Sequence, residues 1–286
     1  MQLIWAWQDR THGFSWLKAI TFTLMFVPAT WMLYQLGTGE FGPIPRGPMT
    51  YWSGVWATAI LLLALAITPA STIFRWHRLI IVRRMIGVTA LVYTIAHIII
   101  YFALRLWDFA FIANEMVTRL SLIVATVSTI GLIPLGATSL DAAVQRMGPN
   151  SWQRLHNTVY VVTAFALIHY LLSPGIFSDQ YLTSGMFFWL MLWRALRNRG
   201  HGTSVWALTV LAVASSLFTA LFEAGWIWAY HGYEPSGTLG NNFTLDLGIS
   251  PACQILVLGL LIVLAAAASR QAPRLRPASL DTRTIG

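Results

Sequence analysis

Apolar residues in this chain come in long unbroken runs. They do not alternate as in a half-buried strand, nor form the one-sided stripe of a helix on a soluble surface. Runs able to cross a bilayer as helix need about 17 to 25 residues. Such runs fall at Trp16–Leu36, Tyr51–Thr68, Arg83–Leu106, Arg119–Gly136, Trp152–Leu172, Tyr181–Leu196, Val205–Tyr230 and Pro251–Ala268, the sixth short and the seventh long. The widest connection, His231–Ser250, and the Pro-containing, arginine-rich tail after Ser269 are both too short to fold a domain. The pattern predicts an all-α polytopic membrane bundle of about eight transmembrane helices. Composition agrees: 57% of residues are hydrophobic, 10% are charged, and the mean hydropathy is +0.64, which lies outside the soluble class.

A net charge of +8 suggests nucleic acid until the basic residues are sorted by alternate connections. Arg10, Lys18, Arg75, Arg78, Arg83, Arg84, Arg146, Arg154, Arg194, Arg197, Arg199, Arg270, Arg274, Arg276 and Arg283 fall on one side, and only Arg46, Arg105 and Arg119 on the other. Positively charged loops stay inside, so both termini are expected in the cytoplasm, which requires an even number of spans. The charge reports topology, and no nucleic-acid partner is expected. The first run is longer than a signal-peptide core and has no small-residue cleavage pattern after it, so it is read as a retained anchor.

The single cysteine, Cys253, excludes an internal disulfide, a cysteine zinc site and an all-cysteine iron–sulfur cluster within the chain. The Cys-x-x-Cys-His motif of covalent haem attachment is absent, as are the glycine-rich nucleotide-binding fingerprints. A cofactor here would be held by axial ligands and packing, and NAD(P)H would bind elsewhere.

The chemistry lies in three histidines on apolar runs, where titratable side chains are costly. His156 and His169 are thirteen residues apart, roughly 20 Å along one helix axis, and His97 lies about 21 Å up its own helix from Arg83. His97 and His169 therefore reach one depth, near the outer leaflet, while His156 sits about one turn inside the cytoplasmic edge. A haem iron between the third and fifth spans would take His97 and His169 as its two axial ligands, leaving no open position, which suits electron transfer. Thirteen residues at 3.6 per turn put His156 and His169 well over a right angle apart, so they need not face one partner. His156 is weighed equally as a ligand and as a headgroup-level polar residue. The ordinary alternative for each histidine is an interhelical hydrogen bond.

The stretches Ile67-Thr68-Pro69, Arg83-Arg84-Met85-Ile86-Gly87, Ala96-His97, Trp152-Gln153-Arg154-Leu155-His156-Asn157-Thr158-Val159-Tyr160 and Ile168-His169-Tyr170 resemble the MsrQ family, within the ferric-reductase-like transmembrane superfamily. The likeness runs over approximately Ser15 to Arg199. It implies b-type haem, with FMN as a further cofactor, in a bacterial inner-membrane electron-transfer subunit without a substrate site of its own. It further implies a cytoplasmic flavin reductase or the quinone pool as donor. The implied acceptor is a periplasmic molybdopterin-containing catalytic subunit that reduces protein methionine sulfoxide. The expected organisation is a cytoplasmic segment over 1–14, a six-helix haem-binding unit over 15–199, two additional helices over 200–268 and a basic tail over 269–286. Two-haem members of the superfamily carry paired histidines on both ligand helices, whereas position 84 here is arginine. That leaves His156 without an evident partner; His77 is at a suitable depth but among interfacial neighbours.

Arg83, Arg84 and Arg154 are candidates for haem propionates, since guanidinium binds carboxylate bidentately; fixing topology is their simpler role. Gly87 would let a flat macrocycle approach the backbone or allow close helix packing. Tyr93, Tyr101, Trp152, Tyr160 and Tyr170 could flank the cofactor, although aromatics at these depths usually form belt or core. Glu223, the only acidic residue in a predicted span, shares a stripe with Ser216 and Thr219; bonding to neighbouring helices is its simpler role. The rival functions are a transmembrane ferric or metal-chelate reductase and, from a different class, a transporter or a haem-based sensor.

Overall fold

The computed structural model describes residues 8–9, 13–175, 178–242 and 248–271. Arg10, His12, Arg274, Arg276, Arg283 and most of the tail lie outside the described residues. A two-stranded antiparallel hairpin, β1 (Gln8–Asp9) and β2 (Gly13–Phe14), leads into the bundle. The described elements after it are all helical: α1 (Trp16–Leu24), α2 (Val27–Gly37), α3 (Arg46–Ile73), a short 3-10 turn (His77–Leu79), α4 (Ile80–Leu104), α5 (Phe109–Thr118), α6 (Leu120–Ala137), α7 (Asp141–Met147), α8 (Pro149–Asn157), α9 (Val159–Leu171), α10 (Ser178–Asn198), α11 (Val205–His231), α12 (Pro235–Asn241) and α13 (Pro251–Gln271). Helix satisfies every backbone group internally, which hydrocarbon demands. Large apolar side chains such as Val117, Leu264 and Leu221 point outward, as they would toward lipid.

Among the described residues, six stretches are long and apolar enough to cross a membrane: Trp16–Gly37, Arg46–Ile73, His77–Leu104, Leu120–Ala137, Val205–His231 and Pro251–Arg270. The two other expected runs form helices of a different character. Trp152–Leu172 is divided at Thr158 between α8 and α9. Tyr181–Leu196 lies within α10, whose buried Gln180, Thr183 and Ser184 dilute its apolar face.

The first run, expected as one helix, is broken between α1 and α2. Tyr93 explains how the break is held. Its hydroxyl donates to the Met25 carbonyl (2.8 Å) and accepts from the Ala29 amide (3.0 Å), entering the ladder where residue 29 would otherwise bond to residue 25. A second interruption is compensated similarly. Pro69, inside α3, has no N–H to offer the Leu65 carbonyl one turn earlier, and the Arg194 guanidinium donates to that oxygen instead at 2.8 Å. Arg194, counted among the topology-setting charges, is thus also a staple between α10 and α3.

Small residues set the closest helix crossings, as is usual where lipid supplies no hydrophobic drive for association. A Cβ on Gly185 would lie 2.1 Å from Thr219 Oγ1, and one on Gly259 would lie 2.5 Å from the Ala212 Cβ. These contacts bind α10, α11 and α13. The first core, built on α3, α4, α6 and α9, includes Leu61, Ile86, Ala90, Tyr93 and Val162; the second, including Leu65, Trp193, Leu211 and Ala266, joins α3 and α10 to the last two long helices.

Candidate functional site

α4 and α9 bring His97 and His169 together, edge to ring. Their ring centres are 6.5 Å apart and their planes are inclined by 66°. An imidazole–metal bond is about 2 Å, so two such bonds on opposite faces of one ion, with the ring radii added, give roughly 6 Å between ring centres. The observed separation is that of an axial pair.

The outer nitrogens are already committed. His97 Nδ1 lies 2.9 Å from the Thr50 carbonyl and 3.0 Å from Ser53 Oγ, and His169 Nδ1 lies 2.8 Å from the Ser121 carbonyl. A carbonyl only accepts, so each Nδ1 carries the proton and each Nε2 keeps its lone pair. This is the tautomer a metal-ligating histidine requires, fixed by the type of outer contact that orients such ligands. Gly54 completes the arrangement from α3: a Cβ there would stand 3.1 Å from His97 Cε1 and 3.3 Å from Nδ1, so any side chain there would press the ring by a few tenths of an ångström. One turn before His97, Tyr93 locks α4 to the break between α1 and α2. The donor set, its tautomers and its spacing fit a haem held through two imidazoles.

His156 is not part of this pair. It stacks on Trp152 with ring centres 3.9 Å apart, and its Nε2 lies 3.1 Å from Thr138 Oγ1. The Thr138 hydroxyl donates its own proton to the Pro134 carbonyl at 2.7 Å, so it accepts from His156, whose Nε2 therefore carries hydrogen. Trp152 Nε1 donates to the Thr138 carbonyl at 2.9 Å, making α8 and the end of α6 one unit. Arg83 and Arg84 lie within electrostatic reach of His156. Arg84 is ion-paired with Asp141 and stands over Trp152; Arg154 and His77 are exposed. A Cβ on Gly87 would meet nothing within 4 Å. Arg83, Arg84, Trp152 and His156 thus gather at the arginine-rich end, remote from the paired imidazoles.

Sequence reasoning missed the supports of the pair: Thr50, Ser53, Gly54 and Ser121 belong to helices that carry no histidine, and two of them act through backbone oxygens. It also missed two polar clusters at the opposite, arginine-poor end. In one, Glu115 on α5 accepts from Tyr101 (2.6 Å), Arg105 (2.9 Å) and Arg119 (2.6 Å). Burial pushes the Glu115 carboxyl up, but the Tyr101 hydroxyl and the two guanidiniums outweigh it and leave its pKa lowered. In the other, Asp179 on α10 accepts from Tyr51 on α3 (2.7 Å) and from Tyr170 on α9. The expected Ser216–Thr219–Glu223 stripe has ordinary partners: Ser216 donates to the Ala252 carbonyl and Asn242 donates to Glu223. Tyr160 lies beneath the Arg194 guanidinium.

Residues 53–167 match the family of the ferric reductase like transmembrane component, and this span includes all three candidate histidines except His169, which lies just beyond it. Protein-methionine-sulfoxide reductase heme-binding subunit MsrQ of Azospira oryzae is 33% identical over 165 residues, 57% of this chain and 71% of that protein. The subunit of the same name from Caulobacter vibrioides is 32% identical over 190 residues, 66% of this chain and 88% of that protein. That from Cronobacter sakazakii is 33% identical over 168 residues, covering 58% and 84%. No solved structure matches. A helical membrane bundle with this match is a ferric-reductase-like transmembrane protein. Within that class, the chain belongs to the MsrQ family.

Proposed function

We propose that this chain holds one b-type haem between His97 and His169 and relays electrons through the inner membrane to a periplasmic partner. The observation that carries this reading is the 6.5 Å pair of imidazoles whose Nδ1 atoms are both bonded to backbone carbonyls. His97 and His169 would hold the haem, which would supply a one-electron carrier for passing electrons to a partner. Thr50, Ser53 and Ser121 hold the ligand rings in one tautomer, and Gly54 gives the His97 ring its place. The positive-inside distribution puts the arginine-rich end in the cytoplasm and His97 and His169 toward the periplasm.

The relatives' name, heme-binding subunit of protein-methionine-sulfoxide reductase, supports a periplasmic molybdopterin-containing methionine sulfoxide reductase as the acceptor. A cytoplasmic flavin reductase, through FMN, or the quinone pool is the donor. Arg83, Arg84, Arg154, Gly87 and His156 lie toward the donor side in this reading. Residues 15–199 form the haem-binding unit, and the helices over 200–268 buttress it through α10.

Haem quantification after purification tests the assignment. His97→Ala and His169→Ala are each expected to lose the haem, while His156→Ala keeps it. Full retention in either of the first two rejects the axial pair. Turnover of ferric chelates by the isolated protein, at rates matching its reduction by the donor, would favour a metalloreductase instead.

A further inference from the structure

At the arginine-poor end, three helices meet on one carboxylate. Asp179, in the first turn of α10, accepts from the hydroxyls of Tyr51 and Tyr170. Tyr170 follows His169 directly, and Tyr51 follows Thr50, whose carbonyl holds His97 Nδ1. The side chain of Gln180, buried beside Asp179, donates to the Tyr170 carbonyl at 3.0 Å. The Asp179 carboxylate is therefore tied to the segment that carries His169 and to the one that holds His97 through the Thr50 carbonyl.

Asp179 is partly buried at the start of α10, where the three helices converge on it. At the same end Arg105 and Arg119 are both paired with Glu115, and Arg119 is the cation that bears on His169. Asp179 adds a negative charge whose donors here are hydroxyls. Reduction of an iron between the imidazoles would add one negative charge to their surroundings. A fixed anion at the end of the bundle where they lie opposes that addition, and hydroxyls donating to the anion soften the opposition.

We propose that Asp179, screened by Tyr51 and Tyr170, is a positioning and tuning residue that lowers the reduction potential of the cofactor between His97 and His169. This rests on the haem assignment above. A mere staple of α3, α9 and α10 would affect folding and haem occupancy. An electrostatic device instead moves the potential, and in opposite directions when the anion or its donors are removed.

The test is spectroelectrochemical titration of the purified full-length protein with its haem bound. Asp179→Asn keeps the shape and an acceptor oxygen but removes the charge. It is expected to raise the potential, favouring the reduced over the oxidised state by roughly tenfold, which for one electron is about 59 mV. Tyr170→Phe and Tyr51→Phe leave the carboxylate less screened and are expected to shift the potential downward by a smaller factor; Asp179→Glu restores it toward wild type. Unchanged potential in Asp179→Asn with full haem occupancy overturns the proposal, as do shifts of the same sign in the aspartate and tyrosine variants. If Asp179→Asn does not fold, the sign of the tyrosine shifts decides: downward supports the proposal and upward or absent overturns it. Wild-type protein that binds no haem would refute the haem assignment itself, an outcome distinct from all of these.

Discussion

His169 and His156 lie on one continuous apolar run, yet the structure uses them in opposite ways. His169 donates through Nδ1 to a carbonyl and keeps the Nε2 lone pair; His156 donates through Nε2 to Thr138 and stacks on Trp152. A single turn residue, Thr158, separates the two segments, and the neighbours each ring meets differ. Being a histidine in a membrane helix therefore decides little. Which nitrogen the neighbours occupy decides whether the ring can bind a metal.

The comparison breaks most readily at Gly54. Gly54→Val forces the His97 ring off α3 and away from Thr50, and is expected to reduce haem content at least tenfold in the purified protein, close to the level of His97→Ala. Haem content within twofold of wild type would show that the Nδ1 contacts do not fix the ligand. At the other end, Thr138→Val removes the partner of His156 and the acceptor of its N–H. It is expected to lower thermal stability by about 0.5 to 1.5 kcal/mol, the net worth of one partly buried hydrogen bond, while the Soret spectrum stays unchanged. A spectral change there would mean that His156 shares the cofactor.

The smallest effect is expected from pH. The Glu115 pKa is lowered in the fold, so the stability contributed by its bonds to Tyr101, Arg105 and Arg119 is fully present above the usual glutamate value of 4.5. It is lost as the pH falls through the lower folded value. Melting temperature measured across that acid range should fall less in Glu115→Gln than in wild type. Parallel curves would show that the cluster carries no linkage.

Much of this was open to reading along the chain. Hydropathy located the long helices because burial in lipid requires continuous apolar length, and equal depth placed His97 and His169 together because helix rise is constant. Two features of the helices escaped it. The break between α1 and α2 depends on a tyrosine hydroxyl from α4, and the bond between Arg194 and the Leu65 carbonyl depends on a proline whose consequence appears only when α10 packs beside it. Asp179 and Glu115 stand in or beside connections, where a carboxylate ordinarily faces water, so nothing local marked them as acceptors joining several segments.

The order of residues by itself determined that this chain is a helical membrane protein, which end is basic, and which two imidazoles share a level, since all three follow from periodicity, charge and rise within single segments. Only the packed bundle decided that these imidazoles meet, which nitrogen each leaves available, and that His156 turns elsewhere. Those outcomes depend on carbonyls, a glycine and hydroxyls brought from other helices, and contacts between distant segments have no imprint in the pattern of any one of them.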